Sequence, residues 1–295
     1  SNLNKLRNLH LKKNFLGHLN VNSIRNKFES IEELVKSNFD IFLVSESKID
    51  SSFPDSQFFI KGFRLIRRDR DKNGGGLMFY VNEDLPFKFL QTRNISEKIE
   101  LLPIEINLGK EKLLIIGLYK PPNLKDDEFL SNLSDALNTF SISYNHITLI
   151  GDFNMTPENK SLTYFNNSSN FQHLISEPTC FKSIKPSQID HILTNHKKSF
   201  MKSSTMETGI SDFHKMIFTI IKYTFTKGKA KTIYYRNLKN INQSDFNARL
   251  KQNINENDLN FDSLCSAIKE SLNFFAPEKE KNSTQQQQIH DKTFT

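Results

Sequence analysis

From residue 15 to residue 223 the chain alternates short apolar runs with clusters of Gly, Pro, Asn, Asp and Ser. This is the pattern of many short strands separated by turns. Strands are predicted over "FLGHLNV" (15–21), "FDIFLVSES" (39–47), "HITLIGDFN" (146–154), "QIDHILTN" (188–195), "SFMKSSTME" (199–207) and "KMIFTIIKY" (215–223). The continuous apolar stretch in 39–47 points to burial on both faces. Two hairpins are expected as well: residues 63–81 fold around their glycines, and 99–107 pairs with 112–119 by turning at Gly109. Helical spacing marks 127–140 and also 23–37, where Ser23 is the expected N-cap and Ile24, Phe28, Ile31, Leu34 and Val35 share a face. Strands outnumber helices, and the helices sit between strands. The fold class that follows is α/β, a sandwich of two mixed, mainly antiparallel sheets packed face to face with helices outside.

The ends of the chain follow other patterns. Residues 1–14 are polar and basic and read as a flexible lead-in to a domain spanning 15–224. In 225–295, "FDSLCSAIKESLNFF" (261–275) places Phe261, Leu264, Ile268, Leu272 and Phe275 on one helical stripe. The final "NSTQQQQIHDKTFT" (282–295) is low in complexity and is expected to be disordered, so 225–295 reads as a partly helical linker.

Composition narrows the partners. A net charge of +7 favours polyanions. Cys180 and Cys265 have neither metal-ligand nor redox spacing, which fits a reducing, intracellular compartment. The longest clean apolar run, 113–119, is too short to span a bilayer, so no membrane role is expected.

Candidate chemistry gathers where the core strands end. Asn20 shares a strand face with Asn22, Glu46 ends a buried strand, Asp152 shares a face with Asn154, and Asp190 interrupts an apolar segment. Hydrolysis of a phosphodiester near neutral pH needs a cation on oxygen ligands, a base for the attacking water, and donors for the phosphoryl oxygens. Glu46 with the Asn20 amide suits Mg²⁺, with Mn²⁺ as the alternative. Asp152 suits the base, and Asn154 the orientation of water or phosphate. Tyr119, before "KPP", suits a phosphate donor, and Asp190 suits the orientation of His214. Singly, these residues read as loop carboxylates or Asx-turns.

In order and spacing, "LNVNSIRNK", "LVSESKID", "GLYKPP", "GDFN", "SQIDHILT" and "GISDFH" resemble the exonuclease–endonuclease–phosphatase superfamily. They are most similar to the endonuclease domain of LINE-type (non-LTR) retrotransposon polyproteins, and the resemblance covers roughly residues 15–224. It implies a four-layer α/β sandwich that nicks double-stranded DNA with Mg²⁺ to expose a 3′ hydroxyl, and a nuclear location. It also implies a reverse transcriptase downstream in the intact polyprotein, which residues 225–295 do not contain. Asn20 and Glu46 match metal positions, and Tyr119, Asp152 and Asn154 match phosphate and water-activating positions. Asp190 matches the partner of the catalytic His, and Asp212 the acid preceding it. Asn22 stands where related abasic-site nucleases often carry Asp.

One departure is specific to this chain: Phe213 separates Asp212 from His214, where the family pattern has Asp and His adjacent. Without a gap, Phe213 takes the His position. With a one-residue bulge at Phe213, His214 enters the site, and bulges do concentrate beside active sites. His18 and His191 are less favoured candidates for that position. Basic residues at 61–72, including Arg64, Arg67, Arg68 and Arg70, form either a cationic rim for DNA phosphates or a solvated, salt-bridged hairpin. The functional reading is a Mg²⁺-dependent DNA endonuclease. The alternatives are a catalytically impaired DNA-binding domain and a phosphatase or phosphodiesterase of the same superfamily.

Overall fold

The computed structural model describes residues 2–91, 99–107, 111–223, 231–239, 241–254 and 260–283. Period-two alternation sorts each strand's side chains between two faces. In β2 (Ile41–Ser45), Phe42 and Val44 enter one core while Ile41 and Leu43 enter another. In β4 (Leu77–Asn82), Met78 and Tyr80 join the first, and Leu77, Phe79 and Val81 the second. Strands apolar on both faces must be covered on both sides, and here they are.

The first six-stranded sheet runs β11 (Phe200–Met206), β12 (Met216–Ile221), β1 (Asn14–Asn20), β2, β4, β3 (Phe63–Arg68). The second runs β5 (Phe87–Phe89), β6 (Glu100–Asn107), β7 (Lys112–Tyr119), β8 (His146–Asp152), β10 (Asp190–Thr194), β9 (Gln172–His173). Each sheet holds one parallel pair, β1 with β2 and β7 with β8, and its other pairs are antiparallel. The layer between the sheets is built from side chains such as Leu16, Leu43, Phe79, Ile104, Ile115 and Ile150. Outside the first sheet, α2 (Phe28–Asn38) buries Ile31 and Val35. Outside the second, α3 (Asp126–Ser141) and α4 (Lys160–Ser168) bury Phe129, Leu133, Leu162 and Phe165. The result is the four-layer α/β sandwich that the alternation implies.

Two local expectations are corrected. Residues 2–9 are not a flexible lead-in but a helix, α1 (Asn2–Leu9). Leu3 is buried against the first sheet's outer core, and Arg7 makes a two-pronged pair with Asp40 at 2.6 and 3.0 Å. Asp40 also accepts from the Phe15 backbone N–H at 2.9 Å, so α1 is tied to the start of β1. Ser23 is not an N-cap either: α2 begins at Phe28, and Asn22 and Ser23 take positive φ angles of 48° and 88° in a turn beside the site.

The chain divides into two compact units, 1–227 and 228–295. In the second, β13 (Lys231–Tyr235) pairs antiparallel with β14 (Lys279–Ser283). Helices α5 (Gln243–Asn253) and α6 (Phe261–Phe275) pack there through Phe246 and Phe275, with ring centroids 6.1 Å apart. The α6 start carries a capping box between Asn260 and Ser263. The turn at Gly109 and the stretch 284–295 lie outside the described residues. Among the described residues no helix is long and apolar enough to cross a membrane.

Candidate active site at the edge of the two sheets

Register builds the site. Parallel pairing of β7 with β8 sets Tyr119 opposite Asp152, and antiparallel pairing of β10 with β8 sets Asp190 opposite Asp152. Tyr119, Asp152 and Asp190 therefore form one row across the second sheet. On the first sheet β1 pairs Asn20 with Ser45 at the end of β2, and Glu46 follows. The two rows meet across the gap between the sheets. Asn20 Nδ2 donates to Glu46 Oε1 at 3.0 Å and to Asp152 Oδ2 at 2.9 Å, and the Tyr119 hydroxyl donates to Glu46 Oε1 at 3.1 Å.

The backbone around these groups is held in unusual conformations. Glu46, Lys48 and Asn154 have φ of 51°, 51° and 48°, in the left-handed region that costs a non-glycine residue of order 1 kcal/mol or more. Tight bonds compensate. Ser23 N–H donates to Glu46 C=O at 2.8 Å, and Lys48 N–H to Gly75 C=O at 3.0 Å. Gly151, just before Asp152, must be glycine: its φ is 150° and a Cβ would fall 1.9 Å from the Leu118 carbonyl oxygen. Asn154 is locked twice, its N–H on Asp152 Oδ1 at 2.9 Å and its side-chain amide on Lys120 C=O at 2.7 Å.

His214 enters the site. Its Nδ1 lies 2.9 Å from Asp190 Oδ2, while the preceding Phe213 is 41% exposed. The route differs from a strand bulge, because β12 starts only at Met216 and Phe213 belongs to the loop before it. An isolated bridge between Cys180 and His214 fixes the latter's backbone, and the Phe181 N–H donates to Phe213 C=O at 2.8 Å. An extra residue in a loop shifts no strand's phase.

The electrostatics divide the acids by role. Burial, joined by the neighbouring Asp190 charge, pushes the Asp152 carboxyl up to about 7. Burial works against ionisation of Asp190, but the charge and hydrogen bond of His214, joined by His18 and Thr179, together hold Asp190 below the usual range. For His214, burial disfavours the imidazolium, yet Asp190's charge and hydrogen bond push its pKa up to about 11. Glu46 sits below the usual range despite burial, through hydrogen bonds from Asn20, Lys48 and Tyr119. Burial and the Glu46 carboxylate together push the Tyr119 phenol well up.

Other expected residues lie apart. Asp212 stays on the rim with its side chain 53% exposed, paired with Lys27 at 3.1 Å and 3.4 Å from the Asn22 amide. The arginines of the basic hairpin are largely spent internally. Arg67 pairs with Asp69 at 2.7 Å and Asp55 at 3.0 Å and donates to the carbonyls of Asp50 and Phe53. Arg68 donates to Leu101 C=O at 3.2 Å. Arg70 binds Glu100 at 2.6 Å, and Glu100 in turn accepts from Gly76 N–H at 2.6 Å, bracing the glycine turn that holds residues 46–48. Arg64 is half-buried on β3.

Sequence reasoning missed several neighbours. Lys48 bonds Glu46 Oε2 at 3.2 Å and also the Asn22 side-chain oxygen. Thr179 Oγ1 accepts from the N–H groups of Ile189 and Asp190 at 3.1 and 3.0 Å. Exposed Phe181, with the Lys215 ammonium 4.3 Å from its ring centroid, stands on the rim next to Phe213. Their signal in the sequence was weak, since each lies in a segment with no periodicity. His191 faces away from the cluster, as the strand alternation requires, with Nε2 2.8 Å from the Met155 carbonyl oxygen.

Known proteins share this architecture. A 3′ phosphatase from Neisseria, bound to a product DNA hairpin, superposes with a TM-score of 0.58 at 14% identity, covering 71% of this chain and 99% of that one. The endonuclease domain of TRAS1, a telomere-specific non-LTR retrotransposon, gives 0.57 at 12% identity, covering 72% and 99%. An AP endonuclease from Archaeoglobus fulgidus gives 0.56 at 16% identity, covering 71% and 99%. At such identities the likeness is one of fold. No curated protein matches the chain in sequence. The family model for the endonuclease/exonuclease/phosphatase family matches residues 17–212, from β1 through the loop leading to His214. The chain belongs to the endonuclease/exonuclease/phosphatase family, hydrolases of phosphodiester or phosphate bonds.

Proposed function

We propose that the chain is a divalent-metal-dependent DNA endonuclease that nicks one strand to leave a 3′ hydroxyl, as a LINE-type retrotransposon requires for target-primed integration. One observation carries this reading: Asp152, joined through Asn20 to Glu46, shares a cluster with His214, whose ring is held by Asp190 at 2.9 Å. A base and a cation held within one polar pocket are what in-line hydrolysis of a phosphodiester needs.

The donor set fits a hard cation. Burial, joined by repulsion from Asp190, raises the pKa of Asp152, so a positive charge beside Asp152 would be stabilised. Glu46 is the carboxylate that would hold Mg²⁺ or Mn²⁺, with the Asn20 side chain beside it at 3.0 Å. When bound, the ion supplies Lewis-acid stabilisation of the phosphoryl oxygens. The protein's own groups do the rest. Asp152 takes the proton of the attacking water, and Asn154 keeps that carboxylate in place through its backbone N–H. His214, cationic at neutral pH, stabilises the charge that develops on the phosphorus substituents. Tyr119, whose phenol keeps its proton, donates a hydrogen bond to Glu46 and is placed to donate to phosphate.

A DNA partner is supported by the rim beside His214 more than by the hairpin arginines. Phe181 and Phe213 are exposed, and Lys182, Lys185 and Lys215 accompany them. Apolar rings with adjacent cations suit base faces beside phosphates. The test uses two duplexes with Mg²⁺, one labelled internally and one ending in a 3′ phosphate. The reading predicts internal cleavage with 3′ hydroxyl ends. Release of inorganic phosphate from the 3′ terminus with no internal cleavage would transfer the chain to the phosphatases.

A further inference from the structure

His18 lies on the same face of β1 as Asn20 and is wholly buried between the sheets. Its Nε2 is 2.9 Å from the Ser45 hydroxyl. Its Nδ1 faces Asp190 Oδ1 at 3.7 Å, and among the described residues neither atom has another hydrogen-bond partner. Leaving a buried polar atom unpaired is unfavourable. Two such atoms facing each other satisfy one another by closing less than about an ångström, to ordinary hydrogen-bond length. Asp190's other oxygen is already taken by His214 Nδ1.

We propose that His18 is a positioning residue: a neutral imidazole with its proton on Nδ1, it donates to Asp190 Oδ1 and so fixes the carboxylate whose Oδ2 orients His214. The inference rests on reading Asp190 and His214 as the functional pair. A neutral ring, wholly buried between the sheets, has a single N–H to give. With that proton on Nε2, the Nδ1 lone pair would face a carboxylate oxygen in a dry interior, two acceptors opposed. With it on Nδ1 both ends are satisfied, because the Ser45 hydroxyl can donate to Nε2 as readily as it can accept.

This arrangement has a consequence for the cluster. Ligand atoms of Asp152, Asp190 and His214 all lie within 4.8 Å of one another, so taken alone they resemble a cation site. With an imidazole on each oxygen, Asp190 is committed to orienting the two histidines, which favours Glu46 as the carboxylate for a cation. Removal of His18 frees Asp190 to rotate and loosens His214. Since His18 touches no substrate, the loss falls on kcat and not on KM.

Two measurements test this on the full chain. The first is ¹⁵N–¹H correlation of the histidine rings near neutral pH, with His18 assigned from the spectrum of His18→Asn. The expected result is the Nδ1–H tautomer, and an Nε2–H tautomer overturns the proposal whether or not the chain cleaves DNA. The second compares variants on a nicking substrate. Asn can place its amide nitrogen where Nδ1 stood, whereas Gln places its own where Nε2 stood. His18→Asn should therefore rescue most of the rate, while His18→Gln and His18→Ala lose roughly 10- to 100-fold in kcat at unchanged KM, the usual range for outer partners that orient a reacting group. Equal losses in the Asn and Gln variants would reduce His18 to packing. Should the Gln variant fail to fold, the wild-type tautomer decides. Absence of nicking by wild type would refute the proposed function, and the tautomer readout would still judge His18 separately.

Discussion

The strand-end cluster and the β3–β4 hairpin are both dense in charge, and they use it in opposite ways. At the strand ends, acids and imidazoles from five segments are forced together with few compensating charges, and pKa values move: Asp152 up to about 7, His214 up to about 11. In the hairpin Arg67, Arg68 and Arg70 find acids or carbonyls within the same unit, as Arg67 does with Asp55 and Asp69. Charge left uncompensated is available for chemistry, whereas charge paired internally stabilises a turn. The hairpin's contribution to the site is indirect, through Arg70, Glu100 and Gly76, which brace the loop carrying Glu46.

Substitutions can break this contrast. The largest effects belong to Asp152→Ala and Glu46→Ala, which should each lower single-turnover nicking by about 10³-fold or more while thermal melting shows a folded protein. Normal turnover in either variant would separate that residue from the site. Next, His214→Ala should cost roughly 10²- to 10⁴-fold, and Asp190→Asn part of the same increment. The double variant should lose clearly less than the product of the two, because the pair acts as a unit.

The pH–rate profile follows from the same charges. A base works deprotonated, so the rate should rise with pH as Asp152 loses its proton, with a midpoint at about 7 that a bound cation would lower. It should hold until His214 loses its proton near 11. In Asp190→Asn the repulsion on Asp152 and the attraction on His214 both vanish, so both limbs should move to lower pH. Profiles that coincide with wild type would contradict the assignment. The smallest effects belong to the periphery. Arg67→Ala should cost about 1–3 kcal/mol of stability in denaturant melts, through its lost buried hydrogen bonds, and leave the salt dependence of DNA binding unchanged. Lys215→Ala should leave stability alone and reduce that salt slope by about one unit.

Much of this was legible in the sequence, for a physical reason. A polar residue at the end of an apolar strand falls at the sheet edge, so Asn20, Glu46, Asp152 and Asp190 could be gathered without coordinates. What stayed hidden was fixed by pairings distant along the chain. Whether Phe213 or His214 faces Asp190 depends on where β12 begins, and Met216 is set by pairing with Met206 on β11. His18 reads only as a less favoured candidate for the catalytic position until Asp190 is found across the gap. The docking of α1 depends on Arg7 reaching Asp40, 33 positions away. The run of arginines gives a net charge but not its partners, which is why the hairpin read equally well as a DNA rim.

The central claim is that Asp152, in one cluster with Glu46 and the Asp190–His214 pair, hydrolyses DNA strands with a divalent ion. Nicking of a supercoiled plasmid tests it most directly, with wild type and Asp152→Ala each assayed in Mg²⁺ and in EDTA. Wild type should convert the plasmid to the relaxed circle in Mg²⁺ alone. Relaxation that survives EDTA, or that Asp152→Ala carries out at the wild-type rate, would contradict the claim.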